Sequence, residues 1–573
     1  MYSYCSACIS GYENLAAWAD LLDSINIFPV ADGDTGTNLR ISLAPLRECE
    51  SNMATAVIRL AASGRGNSGN IAVAFFTEFL NPDGKGLARQ ACTGRDLAWQ
   101  SIGNPCAGTM LGVFDALCLI LAEDRKRDLE FSEIRTQLQH AVLATVQQLP
   151  ELEEAGVVDS GALGMFVFLD GFFQNCIEKK SGISPVMDLF AGKLHIKSSF
   201  QPQATGEYCV EAVLATDGLQ SGLPCKLSSL GDSAVIMEDN SGVKLHLHTR
   251  NPELLRKELS SMGDVVSWSD EAMDPMIRVA ENENFRKNSI RIMSDAAGSI
   301  PLALARNHGI ILLDSYILAA DQAKPESLFP SEKLYSLMKQ GGRVSTAQAS
   351  SHERHRHYHA ACEQYDKVLY LCTGSAFTGN FSTVMSWKKE NDPDGQMEAI
   401  DTGAASGRLA VIALLTARLA AQGATVETVI AYAKELTGQV EEYVFIHELK
   451  YLVAGGRVSR AKGLFADLLH MKPVISPGVE GVRKVGVAKN RDGQLDFALA
   501  KLKKYERSGS GFFVLLQYSD NKEWLVEIVE PVIQRLVPDA EVLLVPLSLT
   551  SGVHMGPGTW SIAFQKETSD GSL

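Results

Sequence analysis

The sequence predicts a multidomain protein: an all-α N-terminal domain, a small α/β middle domain and a C-terminal α/β domain of two subdomains. Three observations carry this expectation. From residue 12 to about 150, apolar residues recur at helical spacing in segments joined by short loops of glycine, serine, threonine and asparagine. Between 208 and 249, apolar and polar side chains alternate at strand spacing. From 288 onward, strand-like and helix-like segments alternate, as in a largely parallel sheet. At 573 residues the chain exceeds what one hydrophobic core supports. Boundaries are expected near Lys179–Pro185 and Glu281–Lys287, giving domains 1–180, 185–285 and 288–566.

In the first domain, helices are expected over Tyr12–Ile25, Met53–Ala62, Thr109–Ala122 and Phe131–Leu149. The loop after the first runs Asn26-Ile-Phe-Pro-Val-Ala-Asp32-Gly-Asp34-Thr-Gly-Thr37-Asn38. Two carboxylates one glycine apart can aim hard oxygen ligands at a divalent cation, and Gly33 and Gly36 permit a tight turn around it. Magnesium held by few carboxylates fills its remaining positions with water and phosphate oxygens, so the motif suggests a Mg-nucleotide site. The competing reading is a surface turn, for which Asp-Gly and Thr-Gly are ordinary signals. Three further small-residue clusters follow: Gly64-Arg-Gly-Asn67-Ser68-Gly69-Asn70, Gly108-Thr109 and Ala155-Gly-Val-Val-Asp159-Ser-Gly161. None of the clusters is a Walker A loop, because no Gly-Lys-Ser/Thr occurs, and none reads as a Rossmann fingerprint.

Taken in order, these four motifs resemble the nucleotide-binding DhaL domain of dihydroxyacetone kinases, and more closely the DhaL-like domain of bacterial fatty acid kinases. The resemblance implies a helical barrel with Mg²⁺ and ATP at its mouth. Asp32 and Asp34 would hold the metal as the catalytic pair, with Asn26 or Asp23 where the family has a third carboxylate. Thr37, Asn38, Asn67, Ser68, Gly69, Gly108 and Thr109 would face the nucleotide, with Asp159 beside it. The chain departs from the family at Ala31, Asn70 and Ala107.

In the middle domain, Lys244-Leu-His246-Leu-His248 places both imidazoles on one face of a strand, half of a zinc site. The competing reading is a solvated edge strand. The fatty acid kinase resemblance adds an upstream cysteine, here Cys209, and implies a Cys209, His246, His248 metal site of structural or regulatory role. Four histidines, His352, His355, His357 and His359, crowd a later helix, and a metal there is the less favoured reading. Cys5-Ser-Ala-Cys8 has no second pair and reads as incidental.

In the last domain, polar loops follow expected strand ends at Ser294–Ser299, Ser345–Gln348, Thr373–Gly379 and Asp401–Gly403, the rim where open sheets bind ligands. With Leu449–Ser459 and Gly552–Gly558, these loops resemble the DegV family of fatty-acid-binding proteins. The resemblance implies an apolar tunnel for one acyl chain. Thr346, Ser375, Arg457 and His554 would sit at its carboxylate end, and Ala347 replaces a family serine.

A net charge of −15 and no basic stripe argue against a nucleic-acid partner. No apolar run reaches membrane-spanning length, so membrane contact is expected to be peripheral. Eleven scattered cysteines favour a reducing cytoplasm. The expected activity is a fatty acid kinase that uses Arg457 to steady the carboxylate of a long-chain fatty acid and makes acyl phosphate, in a homodimer. The alternatives are a small-polyol kinase of the dihydroxyacetone type and a non-catalytic lipid binder with a nucleotide-responsive domain.

Overall fold

A computed structural model describes residues 4–49, 52–82, 86–103, 105–123, 130–179, 182–201, 208–215, 226–227, 229–239, 242–272, 290–319, 322–454, 471–505 and 512–565. The chain forms two compact units, 1–284 and 285–573.

The described residues of the first unit open with ten α-helices: α1 (Tyr4–Ser24), α2 (Thr35–Leu43), α3 (Met53–Ala61), α4 (Gly66–Phe79), α5 (Leu87–Gln100), α6 (Met110–Glu123), α7 (Phe131–Gln148), α8 (Pro150–Ala155), α9 (Ser160–Glu178) and α10 (Val186–Leu189). Helix α1 starts eight residues before the expected Tyr12, because Cys5, Ala7 and Cys8 continue its buried face. The Cys5 thiol donates to the Cys49 carbonyl, so this pair belongs to the core. Aromatic side chains fill the interior: Phe75 of α4 stacks on Phe114 of α6 at 3.9 Å, and Phe76 meets Phe168 of α9 at 4.5 Å. Cys92 and Cys118 form a disulfide between α5 and α6, which the irregular cysteine spacing did not announce.

The same unit continues as an antiparallel sheet of β1 (Tyr208–Ala215), β2 (Asp232–Asp239), β3 (Gly242–Thr249) and β4 (Asp264–Ala272), in the order β2-β3-β1-β4, with helix α11 (Pro252–Ser260) before β4. Strand β3 is internal, and His246 and His248 are 2% and 3% exposed. The solvated edge-strand reading is therefore corrected: neighbours on both sides take β3 out of water. Strand β2 also meets the helical part. Val235 pairs with Ile102, the Gly103 N–H donates to the Ala234 carbonyl, and the Ile236 N–H donates to the Ser101 carbonyl.

The described residues of the second unit hold thirteen strands: β5 (Ile290–Asp295), β6 (Ile310–Leu313), β7 (Ser315–Ala319), β8 (Gln322–Pro325), β9 (Val344–Gln348), β10 (Lys367–Cys372), β11 (Met397–Asp401), β12 (Val440–Phe445), β13 (Lys472–Gly478), β14 (Gly481–Ala488), β15 (Phe513–Tyr518), β16 (Glu541–Pro546) and β17 (Trp560–Gln565). The sheet β11-β10-β5-β6 is wholly parallel, as expected. The six-stranded sheet β14-β13-β12-β17-β15-β16 is mostly antiparallel, with β15 and β16 its one parallel pair among the described residues. Its β13–β14 connection is only Val479-Glu480, too short for the helical crossover that a parallel pair needs. A small third sheet has the order β8-β7-β9. The apolar helix Ser406–Ala421 buries Leu409–Leu414 in one cluster with Ile290 and Ile292 of the parallel sheet and Phe513 and Leu515 of the mixed one. Helix Ser351–Gln364 carries the four histidines. Among the described residues they form no metal-binding cluster, and His359 pairs instead with Glu363 at 3.1 Å. No described helix is long and apolar enough to cross a membrane.

Candidate functional site

The loop Asn26–Asp34 and the N-termini of α2, α4 and α9 converge on a cavity of about 220 Å³. Asn26, Asp32, Asp34, Asn38, Asn67, Ser68, Thr109 and Asp159 all line it. At the start of α4, Gly66 has φ +63° and its backbone lies so close to the Asn38 amide that a Cβ would collide with it. Only glycine permits that approach. Asp159 caps α9 by accepting from the Ala162 N–H at 2.7 Å, and burial pushes its carboxyl up to about 7.

The Asn26 amide donates to Asp32 Oδ1 at 2.5 Å. Burial, and then the adjacent Asp34, push the Asp32 carboxyl well above the usual range. Two half-buried carboxylates held side by side at a cavity wall call for a cation or a proton between them, so the pair fits a divalent metal. Asn67 Oδ1 is buried on the same wall without a hydrogen-bond partner among the described residues. That acceptor suits a cation, a water or a ribose hydroxyl, and an amide flip would offer a donor instead.

Other sequence candidates lie elsewhere. Thr37 does not line the cavity: its N–H and hydroxyl both donate to Asp23, at 3.1 and 2.9 Å. That engagement also occupies Asp23, the alternative third metal ligand. Gly69 and Gly108 contribute no lining atoms; Gly108 has φ +90° and shapes the turn before Thr109.

The middle sheet forms part of the same cavity wall, a placement the sequence reading missed. Val235, His246 and His248 line it. One ligand atom from each of Cys209, His246 and His248 lies within 4.8 Å of the other two. The Cys209 Sγ to His246 Nδ1 distance is 3.8 Å, near the roughly 3.6 Å edge of a tetrahedron built on ordinary Zn–S and Zn–N bonds. His246 Nε2 and His248 Nδ1 are buried without partners among the described residues. Burial, with His246 alongside, pushes His248 down to about 3, so its imidazole is neutral and able to ligate. The donor set fits zinc. Glu211 adjoins the triad: its Oε1 lies 3.8 Å from His246 Nδ1 and accepts from the Gly66 N–H at 2.8 Å. Burial alone would raise this carboxyl, but His246, Gly66 and Lys244 outweigh it and bring it down to about 2.

The second unit has its own cavity, of about 70 Å³, lined mostly by apolar side chains such as Phe377, Leu452, Ile475, Val482 and Met555. Its polar edge carries Thr373, Thr378, Thr550, Ser551 and His554. Thr346 of β9 meets His554 Nε2 at 3.2 Å across 208 residues of sequence, so these two expected head-group residues come together. Ser375 is exposed and off the lining; its N–H donates to Asp401. Thr373, two residues earlier, lines the cavity in its place, and its buried Oγ1 has no partner among the described residues. The only sequence signal for it was its position at the end of β10. Thr550 is braced by buried Glu326, which accepts from its N–H and hydroxyl at 2.7 Å each. Arg457 lies outside the described residues.

These features define a chain in which a helical domain with a carboxylate-bearing cavity, a small sheet and an α/β domain with a cavity of its own follow one another. Three family models match in that order: the DAK2 domain over 29–174, the FakA-like middle domain of fatty acid kinases over 205–277, and the DegV family over 289–567. The chain is a fusion of these three domains. Protein YloV of Bacillus subtilis is 29% identical over 300 residues, which cover 46% of this chain and 54% of YloV. An uncharacterized protein of Staphylococcus saprophyticus is 30% identical over 275 residues, covering 43% and 50%. The chain thus spans about half the length of the curated relatives it matches. Among solved structures, a DegV family protein from Thermus thermophilus described as binding fatty acid aligns at 21% identity and TM-score 0.45, over 49% of this chain and all of that one. DegV of Bacillus subtilis, described as a fatty acid binding protein, aligns at 20% identity and TM-score 0.45, over the same shares.

Proposed function

We propose that the chain is a self-contained fatty acid kinase, in which ATP and a bound fatty acid give ADP and an acyl phosphate. The observation that carries this reading is the cavity that gathers Asp32, Asp34, Asn26 and the glycine-rich start of α4. The match to a fatty acid kinase middle domain and to the DegV family supports the acyl substrate.

Asp32 and Asp34 would hold Mg²⁺, whose charge neutralises the phosphates when bound. Asn38, Asn67, Ser68 and Thr109 orient the nucleotide along the α2 and α4 N-termini, where backbone N–H groups favour anions. Cys209, His246 and His248 would hold zinc beside the same cavity. The acceptor needs no strong base, because a fatty carboxylate with a pKa of about 4–5 is ionised at neutral pH. A carboxylate oxygen attacks the γ-phosphorus, the bond to the ADP oxygen breaks, and ADP leaves with that electron pair. Thr373 and His554 steady the head group at the polar edge of the second cavity, with Thr346 held against His554; Arg457, outside the described residues, is the cationic candidate from the sequence alone. Burying each methylene is worth about 0.8 kcal/mol, which gives the tail a reason to enter an apolar site.

ATP consumption by the purified chain, with and without a long-chain fatty acid, tests this. The expected result is turnover that depends on the fatty acid and is lost in Asp34→Ala. Turnover with dihydroxyacetone alone would support the polyol kinase, and acyl binding without turnover the passive binder.

A further inference from the structure

Strands β1 and β3 grip the backbone of the Gly64-Arg65-Gly66 turn from one side. Glu211 and His246 face each other in the β1/β3 register, and Lys244 sits two residues before His246 on the same strand. The Glu211 carboxylate accepts from the Gly66 N–H at 2.8 Å, and the Lys244 ammonium donates to the Gly64 carbonyl. Each charge meets the complementary end of a peptide dipole, and the negative one sits where the N-terminus of the 14-residue α4 favours it. Asn67 and Ser68, the next residues of α4, line the nucleotide cavity. The Glu211 oxygen that holds Gly66 also lies 3.8 Å from His246, which lines that cavity too. One carboxylate therefore lies against both the cradle and His246 of the imidazole pair.

We infer that Glu211 is a positioning residue that couples nucleotide binding at the α4 N-terminus to the seating of the middle sheet, with Lys244 as the second point of the grip. The inference rests on the Mg-nucleotide reading of the first cavity. Ordering the turn by a bound phosphate orders the sheet that holds it, and by reciprocity a well-seated sheet favours the nucleotide. The β2 contact with residues 101–103 seats the sheet at a second place, where Ile102 and Val235 line the same cavity.

Hydrogen–deuterium exchange on the full chain, with and without Mg-ADP, tests the coupling. In the wild type, Mg-ADP should slow exchange in 26–38 and 64–70 and also in strands 208–215 and 242–249. Glu211→Ala should keep the protection at 26–38 and lose it in the strands. Glu211→Gln, which retains an acceptor for Gly66, should keep both. If Glu211→Ala opens the strands before nucleotide is added, Lys244→Met decides: reduced strand protection supports the grip, and unchanged protection overturns it. Wild-type protection confined to 26–38 and 64–70 overturns the coupling while leaving the nucleotide reading intact. No protection anywhere removes the nucleotide site itself, and the coupling with it.

Discussion

Asp295 and Arg354, 59 residues apart in sequence, meet in the interior of the second unit with Oδ1 2.8 Å from Nη1. Their side chains are 0% and 2% exposed. Asp295 also accepts from the Tyr370 hydroxyl, the Asn380 amide and the Thr373 N–H. Burial alone would raise its carboxyl; Arg354 and these donors outweigh that and hold it below the usual range. Removing one partner of such a pair strands a buried charge, which costs about 3–5 kcal/mol. Arg354→Ala should lower the denaturant midpoint of the second unit accordingly. A loss under about 1 kcal/mol would mean the carboxylate is satisfied without the arginine.

The same network fixes the loop that carries Thr373 into the second cavity. Because the Thr373 hydroxyl has no partner among the described residues, Thr373→Val breaks no internal hydrogen bond. Removing a buried hydroxyl that has no partner should leave the protein at least as stable as the wild type. Loss of one hydrogen bond to a carboxylate head group, worth about 1.5 kcal/mol, should weaken fatty acid binding roughly tenfold. Titration with a fluorescent fatty acid, read beside a thermal melt, separates the two quantities. Unchanged affinity removes Thr373 from the head-group site.

The zinc assignment makes an analytical prediction. Purified wild-type protein should carry about one zinc per chain by elemental analysis, and Cys209→Ala or His248→Ala should carry much less. Zinc content unchanged in both variants would reassign the triad to a metal-free role.

Asp159 gives a pH dependence with a definite sign. Its folded-state value near 7 lies above the ordinary carboxylate value because of burial. A raised acid contributes stability that is complete below its unfolded value, near pH 4, and is lost as pH rises through about 7. In chelator, Asp159→Asn keeps an oxygen for the Ala162 N–H and removes the buried charge. The variant should match the wild type near pH 4 and exceed it at pH 8 by up to about 4 kcal/mol. Urea midpoints at the two pH values measure this. A gap that does not change with pH would place Asp159 in contact with solvent.

Much of this architecture is local and therefore legible. The Asp32-Gly-Asp34 spacing, the alternation in Lys244–His248 and the small-residue loops each encode their geometry within a few residues, so their motifs reach the cavity walls. Contacts set by tertiary packing are not encoded that way. Nothing around Glu211 announces that its partner is the N–H of Gly66, 145 residues away. Ser375 and Thr373 look equivalent in sequence, and only the path of the chain leaving β10 turns one inward and the other out. Thr37 reads as a phosphate donor until the end of α1 is seen to bring Asp23 against it.

The Asp32 and Asp34 pair separates a metal site from a structural turn. In the metal-free chain, burial and Asp34 both work against ionised Asp32, so the pair costs stability. Asp34→Ala removes the repulsion and should leave the metal-free first unit at least as stable as the wild type. A ligand that binds the native state stabilises it by about 2.7 kcal/mol at a hundred times its Kd. Mg-ADP at that excess should give such a gain in the wild type and essentially none in Asp34→Ala. A purely structural aspartate would behave in the opposite way, with a less stable variant in the absence of ligand and an undiminished response to Mg-ADP. Thermal melts of both proteins, with and without Mg-ADP, distinguish the two patterns without depending on turnover.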